Sequence, residues 1–367
     1  MTTRILAAAS PGEIRVAVAE GEALRDFALW RPGAPDGVGD LHRGRITARV
    51  PAMAGAFVAI GGADGFLPDT DGAAGRNEGE MLAVRIVRAA QGGKGPRLRA
   101  EAEPVAAGPP MLLRHGAGPV ERFARAYPDA AVAVDDAALL ASLRPALGER
   151  LLLTPDAFGD RIADAVAALA DRTVTLPGGA VLHIEPTRAL VAIDLDTGPA
   201  TAQRQAKAAS QNALNRAAIP VLARAIRLRN LSGAILVDFA GLSARKRATL
   251  GPALTAALAE DPLKPRLLGF TALGLAEIVR PRVHPPLHEL LAGPHAAGLA
   301  ALRLIAAEAA AAPHRTFRLR ATPPVLAALD RDPVALPDLA RRTGRTLILV
   351  PDPSLPPNGW MIDDADR

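Results

Sequence analysis

The sequence predicts an α/β protein of several domains, with a small OB-type barrel near the N-terminus and an α/β domain that holds the reactive side chains. Three observations support this prediction. Five short strand-like runs are separated by Gly-rich turns between residues 42 and 101, strand-like and helix-like segments alternate from residue 130, and two apolar runs each end in an aspartate. A chain of 367 residues is long enough for two or three domains with buried cores.

Cysteine is absent, which excludes a disulfide framework, a thiolate zinc site, an iron–sulfur cluster and a cysteine nucleophile. The N-terminal residues 1–16 are too short and too polar for a signal peptide, and no apolar run approaches the eighteen or so residues of a membrane span. We therefore expect a cytoplasmic protein that does not bind membranes.

The basic side chains are nearly all arginine. Lysine accounts for four of the 43, at positions 94, 207, 246 and 264, so 39 are arginines, against 38 acidic side chains. Arginine binds phosphate through two parallel hydrogen bonds and stacks on bases, which suits nucleic acid. Abundant Ala, Arg, Gly and Pro with little Lys also reflects the codon usage of a GC-rich genome, so composition alone does not identify a nucleic-acid-binding protein.

The first predicted elements are a hairpin, residues 13–19 and 24–29, and a Pro/Gly-rich connector, residues 32–39. The barrel strands are then expected at residues 43–50, 56–60, 65–67, 81–88 and 96–100. Gly92-Gly93-Lys94-Gly95 lacks the spacing of a phosphate-binding loop and precedes a strand, so we reject that interpretation.

Two aromatic side chains distinguish the barrel. Phe57 and Phe66 lie on neighbouring predicted strands, and basic residues surround them in sequence. Aromatic faces that stack on bases, beside cations that neutralise phosphates, are typical of single-stranded nucleic-acid binding. The alternative is that both rings belong to the barrel core. The surrounding cations are Arg43, Arg45, Arg49, Lys94, Arg97 and Arg99.

Residues 130–184 alternate between strand and helix and contain no cluster of reactive side chains, which indicates a scaffold. Strands are predicted at 130–134, 151–153, 174–175 and 181–184, and helices at 137–143 and 158–170.

The aspartates that follow two apolar runs are the strongest chemical signal. The apolar run at 190–193 is followed by Asp194, and the apolar run at 234–237 is followed by Asp238. Such runs fit strands buried on both faces of a parallel sheet. Carboxyl ends of parallel strands meet in one crevice, where Asp196 could also reach. Carboxylates without histidine or thiolate suit Mg²⁺ or Mn²⁺, which can activate water and neutralise a phosphoryl group. A single aspartate of this kind is more often a helix cap or turn former.

The residues between and after these runs are rich in arginine. A helical crossover over 201–231 would align Arg216, Arg224 and Arg227 on one face, either as a solvated surface or as a phosphate-binding stripe beside the metal. Pro220 must begin or kink that helix. Lys264, Arg266, Arg280 and Arg282 flank a predicted strand at 266–270 and a predicted helix at 273–279.

A different enzyme class remains open at this point. Asp194-Leu195-Asp196-Thr197 also fits the nucleophile turn of a haloacid-dehalogenase-type phosphatase, which needs a later lysine and a later acidic pair. The two Asp-Asp pairs, 135–136 and 363–364, are poorly placed for that role.

Taken in order, the motifs resemble the ribonuclease E/G family over nearly the full length. The resemblance rests on seven segments, which are LHRGRITARVP from residue 41, AFVAIG from 56, GFLP from 65, GKGPRL from 93, IEPTRALVAIDLDTG from 184, RLRNLSGAILVDF from 227 and GFTALGLAEIVRPR from 269.

The resemblance implies an RNase H-like scaffold of residues 1–38 and 105–180, with an inserted OB-fold RNA-binding domain at 39–104. It further implies a catalytic domain at 181–290 and a small C-terminal α/β domain at 297–367. The implied activity is Mg²⁺-dependent cleavage of single-stranded RNA, with Asp194 and Asp238 holding the metal and Asp196 beside them. The residues expected to contact RNA are Phe57, Phe66, Lys94, Arg43, Arg45, Arg97, Arg224, Arg227, Lys264 and Arg280.

Three departures from the family pattern qualify this reading. Asp196 stands where the family usually has asparagine, the segment of the 5′-monophosphate sensor is missing, and residues 291–298 replace the two cysteines of a zinc link between protomers. We therefore expect no zinc, and any homo-oligomer must form without that link. The competing hypothesis is a non-catalytic RNA-binding protein with the same fold.

Overall fold

The computed structural model describes residues 2–197 and 207–364, which form twenty β-strands and ten α-helices. The first nine strands are β1 (Thr3–Ser10), β2 (Glu13–Glu20), β3 (Ala23–Trp30), β4 (Leu41–Val50), β5 (Gly55–Ala59), β6 (Asp64–Pro68), β7 (Met81–Arg88), β8 (Arg97–Glu101) and β9 (Met111–Arg114). There follow α1 (Pro119–Ala126), β10 (Ala131–Val134), α2 (Ala137–Leu147), β11 (Leu151–Leu153), α3 (Gly159–Ala167), β12 (Thr173–Thr175), β13 (Val181–Pro186) and β14 (Val191–Asp196). Next come α4 (Lys207–Leu228), β15 (Gly233–Asp238), α5 (Ala244–Ala248), α6 (Gly251–Leu258), β16 (Arg266–Phe270) and β17 (Ala276–Arg280). The C-terminal elements are α7 (Leu287–Leu290), α8 (Gly293–Ala311), β18 (Phe317–Ala321), α9 (Pro323–Asp330), α10 (Ala335–Thr343), β19 (Ile348–Pro351) and β20 (Trp360–Asp364).

The N-terminal sheet brings together two separated parts of the chain. Its strand order is β11-β10-β1-β2-β3, with β1 parallel to β10 and antiparallel to β2. Alternating side chains of β1 and β2 feed two apolar clusters, one containing Ile5 and Val16 and the other containing Leu6 and Ala17. The segment between β3 and β10 is therefore an insertion into this sheet. The RNase H-like assignment and the domain limits remain predictions.

The insertion forms a closed barrel of five strands. Pairing runs β4-β5-β6-β8-β7 and returns to β4, and β9 adds to β4 at the outside. The alternating residues Ile46, Val58, Leu67, Val84 and Leu98 fill the interior. The mixed α/β architecture with a small barrel is thus as expected, and the OB-fold assignment itself remains a prediction.

The third sheet has the order β12-β13-β14-β15-β17-β16 and is mixed, since only β14 and β15 are parallel. Helices α4 and α6 cover one face, where Ile193, Val237, Ile219 and Leu254 share a core. The expectation that these strands are buried on both faces was wrong, because the intervening side chains are exposed or half-buried. The chain crosses between parallel strands of this sheet once, through α4, so the helices lie on one face of the sheet only.

Residues 273–279, predicted as a helix, instead contain strand β17. Burial alternates along it, with Ala276, Ile278 and Arg280 buried, and it pairs with both β15 and β16. The short apolar run fits both the helical period of about 3.6 residues and the strand period of two, and pairing with the neighbouring strands makes it a strand. Pro220 lies inside α4, which continues to Leu228.

The C-terminal sheet has the order β19-β18-β20, and α8, α9 and α10 pack around it. The sequence indicated α8, β18 and β19, but β1, β20, α9 and α10 were not predicted. Among the described residues, no helix is long and apolar enough to cross a membrane.

Candidate active site on the uncovered sheet face

The two aspartates predicted to bind metal lie side by side. In the parallel register of β14 and β15, Asp194 is the direct partner of Asp238. Neighbouring strands are about 4.8 Å apart, so the two carboxylates project from adjacent positions. Alternation puts Ile193 and Val237 in the core, and it directs both aspartates to the opposite, uncovered face.

Other polar side chains continue the row across this face. His183 on β13 is the register partner of Asp194, so it lies on the other side of Asp194 from Asp238. Asp196 is exposed on the same face, two residues farther along β14 and opposite Val181. The described residues, 2–197 and 207–364, contain no group of three or more His, Cys, Asp or Glu side chains arranged to hold a metal. Asp194 and Asp238 thus form a pair rather than a complete cage.

Asp238 contacts an arginine that the sequence analysis did not single out. Arg247 Nη1 lies 2.5 Å from Asp238 Oδ1, with 14% of the Arg247 side chain and 47% of the Asp238 side chain exposed. The contact lacks hydrogen-bond geometry, and Oδ1 has no hydrogen-bond donor within the described part of the chain. Arg247 belongs to α5, a short helix with three consecutive cations that follows the strand end. This basic run just after Asp238 was the available signal.

The loop after Asp238 is held by Asn215 of α4, which is fully buried. Its amide donates hydrogen bonds to the carbonyls of Gln211 at 2.7 Å and Ala240 at 2.9 Å, and its Oδ1 accepts one from the Ala240 N–H at 3.0 Å. Ala240 is two residues from Asp238, so Asn215 connects the helix on the covered face to the backbone of the site. No motif pointed to Asn215, because its partner in the loop, Ala240, lies 25 residues away.

Gln211 also limits the shape of this loop. Gly241 has φ +61°, and a Cβ at that position would come within 2.2 Å of Gln211 Nε2. The left-handed conformation favours glycine here, and a Cβ would also have to displace the end of the Gln211 side chain. The loop that follows Asp238 is therefore set by two polar residues on α4.

The donor set fits a hard divalent cation. Two adjacent carboxylates, one of them with an oxygen that lacks a hydrogen-bond donor, match the oxygen preference of Mg²⁺ or Mn²⁺. An ion bound by two carboxylates would keep several waters, as Mg²⁺ usually does. Asp194 and Asp238 are the residues that would hold it, and Arg247 would then have to release Asp238.

The predicted arginine stripe does not lie beside the aspartates. Helix α4 packs Ile219, Leu222 and Ile226 into the core, on the side of the sheet opposite Asp194 and Asp238. Arg216 and Arg224 are exposed on the outer side of α4. The Arg227 guanidinium instead pairs with Asp26 at 3.1 Å and donates to the Arg25 carbonyl at 2.8 Å.

The cations predicted near β16 also differ in availability. Arg280 is 4% exposed, and its guanidinium donates to Asp261 at 2.7 Å and to Asn230 at 2.6 Å. A buried guanidinium with these partners has no surface to offer an RNA phosphate. Lys264 is exposed, and its ammonium donates to the Ala259 carbonyl at 2.9 Å.

On the barrel, Phe57 and Phe66 form a pair outside the core. They are register partners on β5 and β6, with ring centroids 5.7 Å apart and an interplanar angle of 68°. Phe57 is 37% exposed and Phe66 is half-buried, and neither belongs to the buried cluster that fills the barrel. The alternative that both rings fill the core therefore loses its basis.

Some of the predicted barrel cations are hydrogen-bonded within the protein, and others have exposed side chains available to a ligand. Arg97 donates twice to one oxygen of Asp71, at 2.8 and 3.1 Å, and Arg43 donates to the Pro109 carbonyl at 2.8 Å. Arg45 and Lys94 have exposed side chains without a side-chain partner among the described residues. The aromatic pair thus has at least two cations available on the same barrel.

Comparison with known proteins identifies relatives of this site region. Residues 156–283, which include Asp194, Asn215, Asp238 and Arg247, match the model of the Ribonuclease E/G family. Ribonuclease G of Haemophilus influenzae is 32% identical over 154 residues, which cover 40% of this chain and 31% of that protein. Ribonuclease G of Escherichia coli K12 is 25% identical over 402 residues, covering 79% of this chain and 82% of that protein.

Ribonuclease E of a Nostoc species is 35% identical over 133 residues, which cover 35% of this chain and 19% of that protein. The family match and these relatives agree with the motifs that carried the resemblance in the sequence. Residues 156–283 thus match the ribonuclease E/G family, and over 79% of its length the chain is similar to a ribonuclease G.

Proposed function

We propose that this protein is an endoribonuclease that cleaves single-stranded RNA in RNA processing or decay, with Asp194 and Asp238 at its reactive centre. The observation that carries the proposal is the direct pairing of these two aspartates on the uncovered sheet face. The family match includes both residues, and the relatives are named as ribonucleases G and E. The barrel supplies a second surface for the same substrate.

Asp194 and Asp238 would hold Mg²⁺, or Mn²⁺, with Asp196 nearby on the same strand. When bound, the ion would lower the pKa of a coordinated water and neutralise charge on the phosphoryl group. The reaction is hydrolysis. Water adds to phosphorus, the bond to the 3′-oxygen breaks, and the products are a 5′-phosphate and a 3′-hydroxyl. Arg247, beside Asp238, is placed to bind a non-bridging phosphate oxygen through its planar donor group.

The barrel would bind the RNA on either side of the scissile bond. Phe57 and Phe66 offer ring faces and edges for stacking with bases, which is tolerant of sequence. Arg45 and Lys94 can neutralise phosphates, since no carboxylate of the described residues pairs with them. Arg97, Arg227 and Arg280 contribute indirectly, because each supports the fold through an ion pair.

The phosphatase alternative gains no support from the acidic pairs it would need. Asp135 accepts a hydrogen bond from the Ala9 N–H at 2.8 Å, and Asp136 caps α2 through the Leu139 N–H at 2.8 Å. Both belong to the N-terminal sheet region and have structural roles there. The C-terminal pair is engaged as well, since Arg315 contacts Asp364 at 3.1 Å.

One observation favours the second candidate, a non-catalytic RNA-binding protein. Asp238 is already paired with a cation, and no group of three metal-binding side chains occurs within residues 2–197 and 207–364. If Arg247 outcompetes a divalent ion, the barrel alone would define the activity.

The deciding experiment incubates the full chain with 5′-labelled single-stranded RNA in Mg²⁺, in Mn²⁺ and in EDTA. Asp194→Ala and Asp238→Ala are compared with Asp129→Ala, which removes an exposed carboxylate in the turn before β10. We expect cleavage by wild type and Asp129→Ala, and a loss of about 10³-fold in both active-site variants, because several kcal/mol of charge stabilisation disappear.

Binding of Mn²⁺, followed by electron paramagnetic resonance, provides a readout that does not depend on turnover. We expect Asp194→Ala and Asp238→Ala to lose it and Asp129→Ala to retain it. Cleavage that persists in EDTA, or in either active-site variant, would refute the proposed mechanism. RNA binding without cleavage by the wild type would support the second candidate.

A further inference from the structure

A cavity of about 330 Å³ lies between the N-terminal sheet and the domain of the third sheet, away from the uncovered face with the aspartates. It is formed by β3 and α1 on one side and by residues around the end of α4 and the start of α7 on the other. Its volume and its mainly apolar lining are those of small-molecule sites, which are frequent at domain boundaries.

Aromatic side chains are concentrated in this cavity. Phe27, Trp30 and Phe123 line it, in a chain with only two tryptophans, one tyrosine and eight phenylalanines. Phe27 packs into the cluster on one face of the N-terminal sheet, whereas Trp30 and Phe123 lie on the other face, where both are half-buried. Aromatic walls favour a flat apolar ligand, because rings pack well by stacking or by edge contacts.

The charged side chains of the wall are nearly all paired. The Asp26, Asp261 and Asp36 carboxylates each have a basic partner, and Arg31 has an acidic one. The pairs are Asp26–Arg227 at 3.1 Å, Asp261–Arg280 at 2.7 Å, Asp36–His284 at 2.5 Å and Arg31–Glu13 at 3.2 Å. A cationic ligand would therefore find no free carboxylate in this wall.

Arg122 is the exception. It is half-buried in α1 and lines the cavity, yet its guanidinium has no hydrogen bond or ion pair to any residue of 2–197 or 207–364. Burial lowers the pKa of Arg122, and the charge of Asp36 opposes this effect without forming an ion pair. A half-buried guanidinium without a hydrogen-bond partner can donate to an anion that enters the cavity.

We propose that this cavity binds a small aromatic or heterocyclic ring that carries one anionic group, with the ring beside Trp30 and Phe123 and the anion on Arg122. A nucleoside monophosphate and an aromatic carboxylate share this chemistry. The proposal does not depend on the reaction at Asp194 and Asp238.

Isothermal titration calorimetry with the full chain tests the proposal through two matched probe pairs. The first pair is uridine 5′-monophosphate and uridine, and the second is indole-3-acetate and indole-3-ethanol. In each pair only the anionic group differs. We expect at least one anionic probe to bind about tenfold or more tightly than its neutral counterpart, as a charge-assisted contact to Arg122 predicts. The pair that shows the difference identifies the source of the ligand.

Two substitutions on α1 separate a specific role of Arg122 from a general charge effect. Arg122→Gln should remove the preference for the anionic probe, whereas Arg125→Gln, on the exposed side of the same helix, should leave it unchanged. Ala28→Trp, which fills the cavity from β3, should abolish binding of the ring itself. Circular dichroism verifies that each variant is folded.

Three results would overturn the inference. They are equal affinity for anionic and neutral probes, no binding of any probe by the wild type at millimolar concentration, and an unchanged preference in folded Arg122→Gln. Loss of uridine 5′-monophosphate binding in Asp194→Ala or Asp238→Ala would likewise overturn it, since binding would then occur at the aspartates. The proposed ribonuclease activity is measured separately, so either proposal can fail alone.

Discussion

The barrel surface and the uncovered face of the third sheet, which we propose bind different parts of the same RNA, are built in opposite ways. On the barrel, aromatic rings lie outside the core and many arginines are neutralised by nearby carboxylates. On the sheet face, two carboxylates lie next to each other with one arginine. We therefore expect RNA binding by the barrel to depend on ring surface more than on charge, whereas the arrangement of the sheet face follows from strand register.

The paired arginines explain why composition is a weak guide here. Arg49 contacts Asp69 at 3.1 Å, and Arg85 contacts Glu101 at 2.6 Å. Together with Arg97, these cations belong to ion pairs within the barrel, which reduces their net attraction for RNA. The sheet face needs no excess of positive charge, because register alone brings its reactive side chains together.

The largest effect in this comparison is expected from Asn215→Leu, which keeps the size of the side chain but removes its hydrogen bonds to the loop after Asp238. The Ala240 N–H and carbonyl would lose their partner, at about 1–3 kcal/mol for each unsatisfied group. We expect the free energy of unfolding to fall accordingly, Mn²⁺ affinity and cleavage to fall about 10-fold or more, and RNA affinity of the barrel to stay within about twofold.

Chemical denaturation, Mn²⁺ titration and RNA binding distinguish the two regions for this variant. Asn212→Leu, a half-buried position on the same helix, serves as the matched control. If Asn215→Leu lowered stability but left Mn²⁺ affinity unchanged, Asn215 would be a structural residue and not one that positions the site.

A smaller effect is expected on the barrel from Phe57→Ala and Phe66→Ala. Each variant should weaken single-stranded RNA binding by about 1–3 kcal/mol, the value typical of a lost stacking contact. The Mg²⁺ requirement for cleavage should not change, because the sheet face is untouched. Fluorescence anisotropy with labelled RNA measures the affinity, and thermal unfolding of Phe57→Ala should show little change, since this ring is 37% exposed. Strong destabilisation with unchanged RNA affinity would assign the rings to the core after all.

The smallest effect is expected from single cations of the barrel, and it sharpens the distinction between open and paired arginines. Arg45→Gln should lower RNA affinity slightly and reduce the salt dependence of binding by about one phosphate contact. Arg97→Gln should change the salt dependence less, because Asp71 already neutralises Arg97. RNA affinity measured over a range of salt concentrations gives both slopes. Equal slopes for the two variants would show that the ion pair with Asp71 opens on binding.

Much of the site could be read from the sequence, since an apolar run that ends in an aspartate specifies both a strand and the place where its carboxylate emerges. The adjacency of Asp194 and Asp238 was predicted in this way, and so was the position of Phe57 and Phe66 on neighbouring strands. The helix predicted at 273–279 failed because a short apolar run fits either period, and its pairing with β15 and β16 is a tertiary property.

The local sequence by itself determined the positions of most strands, the two aspartates and the resemblance to the ribonuclease E/G family, because these depend on side-chain period and on motifs of neighbouring residues. Only the tertiary structure decided which cations are free. Arg227 is neutralised by Asp26, Asn215 holds the loop after Asp238, and Arg122 has no hydrogen-bond or ion-pair partner within residues 2–197 and 207–364. Each of these outcomes depends on side chains far apart in the chain or on the absence of a neighbour, and a local sequence pattern predicts neither.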